Sequence, residues 1–206
     1  MVSPSSAKSL HEFLRSRRSV RRFREAAIPD GVIERILETA SRAPNAHNRQ
    51  PWRFVRLRSA GSRRQLAEGM GAEFRKTLKS EGMDEEQIEA QLARSAERII
   101  QAPEAILLCL DSRVLDVYED EARSAGERVM GVQSVALAGG QLLLAAHAEG
   151  LAGVWICAPL FAPEAVQAAL DLPSTWEAQG LILLGEAESM PEPRSRESLS
   201  AVLLER

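Results

Sequence analysis

Apolar residues fall along this chain in two rhythms, one helical and one suited to strands. Leu10, Phe13 and Leu14 share a face over residues 7–17, which predicts a short helix. Val32, Ile33, Ile36, Leu37 and Ala40 make a second helical stripe that opens after Pro29, with Asp30 as N-cap. Pro44 stops it, because the residue before a proline avoids helical angles. Residues 61–80 read as a polar helix broken at Gly69 and Gly71. Asp84 and Gln87 form a capping-box-like start for a helix striped by Ile88, Leu92, Ala96 and Ile99, which ends near Gln101. The stretch 62–101 is therefore a helical excursion between strands, either a lid over a site or a plain hairpin. Pro163 opens a short helix to Leu170.

The strand rhythm appears in four shorter blocks. Phe54–Arg58 puts Val55 and Leu57 on one face and Arg56 and Arg58 on the other. Ala105–Leu110 is a buried strand bounded by Pro103 and Asp111, and Leu181–Leu184 is another between Gly180 and Gly185. Leu151–Cys157 is the fourth, followed by a loop from Ala158 to Ala162. Residues 112–126 are polar and fit either loop or helix.

Residues 127–149 carry the strongest helical signal, apolar on most faces, with Gly or Ala at 131, 136, 138, 139, 140, 145, 146 and 148. A helix apolar nearly all round belongs at the centre of a structure or of a dimer. The small residues, which let another backbone come close, favour a dimer core. The end of the chain is apolar at Leu199, Val202, Leu203 and Leu204, enough to dock on something.

Composition narrows the class. The 206 residues suit one domain, 1–206, with a substantial core, and 45% apolar against 27% charged is the ordinary globular range. A net charge of -3 argues against general nucleic-acid binding, which works through an excess of positive charge. That charge is segregated, basic at 15–24 and 49–64 and acidic at 81–97 and 116–127. Cys109 and Cys157 are the only cysteines, and the histidines at 11, 47 and 147 make no zinc pattern. No disulfide framework is expected, which favours a reducing, cytoplasmic compartment. The opening Met-Val-Ser-Pro-Ser-Ser has no apolar run and reads as no signal peptide. Gln133, Gln141, His147 and three glycines interrupt 129–148, which therefore reads as a buried helix and not a membrane span.

Six of the ten residues from Arg15 to Arg24 are arginine. Guanidiniums this close repel one another, and a bound anion relieves them. Arginine's planar fork matches phosphate, and Ser19 adds a hydroxyl donor within the cluster. A solvated basic face is the plainer alternative. Further on, Ala43-Pro-Asn-Ala-His-Asn-Arg-Gln-Pro-Trp52 is a polar loop of defined shape, suited to presenting amides to a flat ligand or simply to connecting helix and strand. There is no Gly-x-Gly-x-x-Gly, no Walker loop and no serine–histidine–acid arrangement. If the arginines hold a phosphate, the cofactor brings the reactivity, and flavin mononucleotide fits: one phosphate, a ribityl chain and a flat ring.

Arg17-Arg-Ser-Val-Arg-Arg-Phe23 resembles the opening motif of the nitroreductase family of FMN-dependent oxidoreductases. The 43–52 loop resembles that family's second motif, and Arg194-Ser-Arg196 its basic pair near the C-terminus. The three stand in the family's order and spacing, and the resemblance covers roughly residues 10–200. It implies an α+β fold, a mixed, mainly antiparallel sheet flanked by helices, in a homodimer with the long helix at its core. Two FMN sites would be built from both subunits. By resemblance, Arg17, Arg18 and Ser19 meet the phosphate, Arg194 and Arg196 close over it, and Arg21 reaches the ribityl chain or the pyrimidine edge. Pro44, Asn45, Ala46 and Asn48 of the other subunit line the ring, supported by Gln50. Ile156, Cys157 and Ala158 stand where members offer a backbone N–H to the flavin N5.

The implied reaction is ping-pong hydride transfer from NAD(P)H through the flavin to a small oxidised acceptor, with Arg21 stabilising the reduced flavin. No side chain need be a catalytic acid, and no metal is implied. Many members have serine where Asn45 stands, and glycine or glutamate where Cys157 stands. Cys157 reads as a small buried residue in preference to a redox thiol, and Trp52 and Trp155 read as core. His47 reads as a loop histidine satisfied by a neighbour. Residues 70–103, Trp155–Phe161 and Leu170–Glu177 also resemble the FMN-binding domain fused to the ligase of deazaflavin-coenzyme biosynthesis, which reduces a dehydro precursor. A carrier or sensor that binds flavin without turnover is the competing class.

Overall fold

Trp52–Arg56 (β1), Glu104–Asp111 (β2), Ala152–Ile156 (β3) and Trp176–Gly185 (β4) pair into one antiparallel sheet in the order β1-β2-β4-β3. The computed structural model describes residues 4–206; the opening Met-Val-Ser, part of the stretch expected not to be a signal peptide, lies outside them. β2 is buried along its whole length, and β4 from Ala178 onward. Both inner strands have helices on both faces, which is why they read as continuous apolar blocks. Trp52 stands opposite Leu110, Arg56 opposite Ile106, and Gly153 opposite Leu184. Ser19 adds an isolated parallel bridge to Gly153, so the fold is α+β with a mainly antiparallel sheet.

Alternation along the strands sorts side chains to two cores. On one face Leu108, Leu110, Ile182 and Leu184 meet Ile33, Ile36 and Ala40 of Asp30–Ala40 (α2) and Val135, Ala138 and Leu142 of Glu121–Ala148 (α5). On the other, Leu107, Cys109, Leu181 and Leu183 meet Leu66 and Met70 of Ala60–Ser80 (α3), Ile99 of Glu85–Gln101 (α4) and Val166 of Pro163–Leu170 (α6). Each such large side chain contributes about 1.5–3 kcal/mol by leaving water. Cys109 is among them, and burial pushes its thiol up to about 12, so it is inert. Among the described residues α5 is the one helix long and apolar enough to cross a membrane, and its buried row places it as a core helix. Its outer row is apolar too: Val129, Ala136, Leu137 and Gly140 are exposed. Pro4–Ser16 (α1) sits at the far end of α5, with Phe13 stacked on His147 at 4.7 Å and Ser16 Oγ 2.7 Å from His147 Nε2.

Several elements differ from their sequence-based bounds. β1 runs two residues earlier than 54–58, set by its pairing with β2; Val55 and Leu57 do share the α3 side, as expected. Asp30 is the first helical residue and not the N-cap, because Arg56 and Arg58 of the neighbouring segment take its two carboxylate oxygens at 2.8 Å each. α3 is unbroken at Gly69 and Gly71. Gly69 lets α6 approach: a Cβ there would lie 3.3 Å from the Ala165 carbonyl oxygen, so close packing offsets the poor helix propensity. α3 and α4 form a hairpin anchored by Leu66, Met70, Ile88 and Ile99, and Asp84 caps α4 by accepting the Gln87 N–H at 3.0 Å. α5 starts at Glu121, six residues before 127, where Asp120 caps it. β4 extends back to Trp176 through the polar half the pattern concealed. Trp155 is a core residue, its ring in a slot left by Gly139 and Gly180, where any Cβ would collide with it. Leu199–Val202 (α7) and the residues after it stay exposed.

Candidate functional site

The arginine stretch is held by backbone pairing at one corner of the sheet. The Val20 N–H donates to the Gly153 carbonyl at 3.1 Å, the Arg24 N–H to Glu186 at 2.9 Å, and the Glu188 N–H to Arg22 at 3.2 Å. Residues 19–24 thus pass the start of β3 and the end of β4, and the buried Val20 pins the middle. The chain leaving β4 returns alongside. Arg17, Arg18, Ser19, Arg21, Pro191, Glu192, Arg194 and Arg196 line one cleft of about 280 Å³. Five guanidiniums face one carboxylate, and none of the five forms an ion pair among the described residues. Arg18 Nη1 donates to the Arg15 carbonyl at 2.6 Å, which fixes its position. Arg17 Nη1 is buried with no hydrogen-bond partner. Such a donor costs about 1–3 kcal/mol, more when charged, unless a ligand accepts from it.

The 43–53 loop is built differently. Ala46–Asn48 is a 3-10 turn. Asn45 Oδ1 accepts the Gln50 N–H at 2.8 Å, and its Nδ2 donates to the Ala43 carbonyl at 3.3 Å. The Ala46 N–H reaches Ser134 Oγ of α5 at 3.4 Å. His47, Asn48 and Gln50 all have positive φ, between 48° and 53°. Arg53 braces the exit: its Nη1 donates to the carbonyls of Gln50 (3.1 Å) and Trp52 (2.7 Å), and its Nη2 lies 2.9 Å from Asp111 Oδ2. The Asp111 N–H donates to the Pro51 carbonyl at 2.8 Å. Asp111 is wholly buried, and the Arg113 guanidinium, aided by Arg53, holds its carboxyl down to about 2. Arg49 pairs with Asp116 at 2.5 Å. Sequence reading had Asp111 as a strand boundary and Arg53 as one of several basic residues; no local pattern joins them. His47 is exposed and its ring makes no hydrogen bond among the described residues, so the neighbour expected for it is not there.

Ile156 ends β3, and Cys157 leads into the 3-10 turn Ala158–Phe161, its carbonyl accepting the Leu160 N–H at 3.0 Å. Cys157 is exposed, not buried as its size suggested, because it lies past the last paired residue of β3.

The structure therefore gathers Arg17, Arg18, Ser19, Arg21, Arg194 and Arg196, with Ile156, Cys157 and Ala158 further along the same edge strand and the turn that follows it. Pro44, Asn45, Ala46, Asn48 and Gln50 are elsewhere. They precede β1, at the opposite edge and opposite end of the sheet. Three strand spacings and six residues of register separate the two places, roughly 14 Å across and about 20 Å along. One chain does not bring its own two motifs together.

A basic cleft beside the edge strand of this fold suits a ligand that carries a phosphate or similar anionic group. The Nitroreductase family model matches residues 14–186, and the chain belongs to that family. It is 34% identical over 203 residues to an NADH dehydrogenase of Thermus thermophilus, covering 91% of each chain. It is 29% identical over 199 residues to a 5,6-dimethylbenzimidazole synthase of Rhodospirillum rubrum, covering 93% of this chain and 90% of that one. A nitroreductase-type chain from Desulfovibrio desulfuricans, solved in complex with FMN, superposes with a TM-score of 0.73 at 26% identity, covering 96% of both chains.

Proposed function

We propose that the chain, as a single FMN-binding unit, works as a homodimer that carries hydride from NAD(P)H to a small oxidised organic acceptor. The observation that carries this reading is the cleft around Arg17, where five guanidiniums, one of them with a buried, unpartnered Nη1, converge on a space open to an anionic group such as a phosphate. FMN fits that donor set. When bound, it supplies reversible hydride chemistry at its ring. Arg17, Arg18, Ser19, Arg194 and Arg196 hold the phosphate, and Arg21 places positive charge beside the ligand. The turn at Ile156, Cys157 and Ala158 offers backbone N–H groups along the same edge.

The second chain follows from separation and from surface. Pro44, Asn45, Ala46, Asn48 and Gln50 lie too far from the chain's own arginines to serve the same ligand, so a partner's copy supplies them. The exposed apolar row of α5, with Leu10 and Leu14 of α1 and Leu199, Val202, Leu203 and Leu204 at the end, is the surface such a partner would cover.

The test is the visible spectrum of the purified protein, with mass analysis of what heat releases, repeated on Arg17→Ala/Arg196→Ala. Yellow protein releasing FMN, and a double variant that binds FMN at least about a hundredfold more weakly, are expected from about 1.5–3 kcal/mol per charged hydrogen bond. Wild-type affinity in the double variant refutes the phosphate role. Rapid mixing with NADH and NADPH separates an enzyme from a flavin carrier: no bleaching with either favours the carrier. The dehydro precursor of the deazaflavin coenzyme belongs in the acceptor panel.

A further inference from the structure

On the other side of residues 21–23 lies a second, larger cleft of about 610 Å³. Arg21 and Arg22 line it from the first motif, Arg94, Glu97, Arg98 and Gln101 from the last two turns of α4, and Glu188 from the chain after β4. Phe23 and Ala102 give it an apolar wall, Phe23 being packed against Gly185. Arg94, Arg98 and Gln101 recur at helical spacing on one exposed face of α4. Nine other arginines of this chain are ion-paired: 35, 49, 53, 56, 58, 75, 113, 123 and 128. Arg21, Arg22, Arg94 and Arg98 have no such partner among the described residues, although Glu97 and Glu188 share the cleft. Glu97 accepts from Gln101 Nε2 at 3.2 Å instead. Four guanidiniums against two carboxylates leave an excess of positive charge in a concave site, on a protein whose net charge is -3. Nine of the 23 arginines are ion-paired among the described residues, and of the fourteen that are not, eight line the first cleft or this one.

We propose that this cleft is a second anion site, for a small molecule carrying two or more phosphate or carboxylate groups, and that it positions a reaction partner of the flavin. The part about the flavin rests on the function proposed above; the anion site itself does not. Arg21 lines both clefts, so an anion here lies one side chain away from the cofactor's own. The two glutamates and Gln101 suit hydroxyl or amine groups on the same ligand. Two sources share this chemistry: the phosphates of the nicotinamide donor, and an anionic acceptor.

The experiment uses flavin-loaded protein, so that the first cleft is filled, and inorganic pyrophosphate as probe, measured by calorimetry at low salt. Arg94→Gln/Arg98→Gln removes two charges from an exposed helical face without touching the cofactor cleft, and flavin content reports whether that cleft survives. Pyrophosphate is expected to bind the wild type and to bind the variant at least tenfold more weakly at unchanged flavin content. A rise of KM for NADH, NADPH or both in the variant identifies the donor as the source. Unchanged donor KM values, with pyrophosphate competing against a phosphorylated or polycarboxylate acceptor, identify the acceptor. No pyrophosphate binding to the wild type, equal binding to both proteins, or binding without effect on either substrate overturns the proposal. A colourless protein that still shows the difference in pyrophosphate binding would sink the flavin reading and leave the anion site standing.

Discussion

Around Arg17 the chain gathers like charges and leaves a guanidinium nitrogen buried without a partner; around Asn45 it meets its own backbone with an amide staple and the Arg53–Asp111 pair. The first region is incomplete in the way a binding site is incomplete, its electrostatic cost offset only when an anion arrives. The second is finished before any ligand comes, with three positive-φ residues held in a fixed shape. A cofactor gripped at one end by the first and covered at the other by the second would meet an adaptable clamp and a rigid wall. The two regions sit at opposite corners of one sheet, so the proposed joining of both at one cofactor requires association of two chains.

The strongest way to break this picture is to separate the chains while leaving both regions intact. Leu137 lies on the outer row of α5, about half exposed, next to Gly140, around which there is open space. Leu137→Asp places a carboxylate where a partner would pack, at a cost of about 3 kcal/mol or more to the interface. The expected result is a folded protein of half the mass by light scattering, with circular dichroism unchanged and flavin content sharply reduced. A monomer that keeps its flavin would mean that one chain suffices.

A milder test loosens the wall alone. In Asp111→Asn the Arg53 and Arg113 guanidiniums lose their buried counter-charge while the arginine cleft is untouched. A loss of about 2–4 kcal/mol is expected, seen as a fall in Tm of about 5–12 °C, with weaker flavin binding as the loop relaxes. The pH dependence has a definite sign. Folding lowers the Asp111 carboxyl to about 2, below the usual value of about 3.9, so its stabilising effect is complete above that usual range and is lost as pH falls from about 4 towards 2. Thermal melts between pH 3 and 5 should show a steeper loss in the wild type than in the variant. Parallel curves would show that Asp111 is not the group responsible.

These two regions were unequally legible in the sequence. The arginine cluster announces an anion because charge density is local, and Arg194 and Arg196 could be joined to it only through the family resemblance. That they share a cleft depends on the turn of the chain after β4, which no spacing reveals. The loop's proline and asparagine content foretold a defined shape, yet the brace that fixes it, Arg53 on Asp111, spans 58 positions of sequence and rests on the pairing of β1 with β2. Helix faces were read well where the period was clean, as at Ile33, Ile36 and Ala40. Gly69 misled because its place against α6 is a tertiary matter, and Cys157 misled because a small side chain says nothing of whether its strand has already ended. The second cleft was invisible for the same reason: Arg94 and Arg98 look like a solvated helical face until Arg22 is seen beside them.

The smallest effect separates the shape of the wall from the side chains on it. Gln50 has a φ of 48° and is exposed, and its Nε2 lies 3.5 Å from the Asn48 carbonyl, at the limit of a useful hydrogen bond. A non-glycine residue in this conformation costs about 1–2 kcal/mol, which Gln50→Gly removes. Glycine also widens the unfolded ensemble, which takes back about 0.5–1 kcal/mol. The Asn45 staple uses the backbone N–H of residue 50, so the substitution keeps it. Stability should therefore change by about 0–1.5 kcal/mol, on the favourable side, a rise in Tm of about 0–6 °C. Flavin affinity then reads the side chain alone. A loss of about three- to tenfold with no fall in Tm would show that the Gln50 amide supports the ring across the interface, within the range of a single neutral hydrogen bond. Wild-type affinity would assign the wall to the backbone shape, leaving Gln50 important only for the N–H it gives to Asn45.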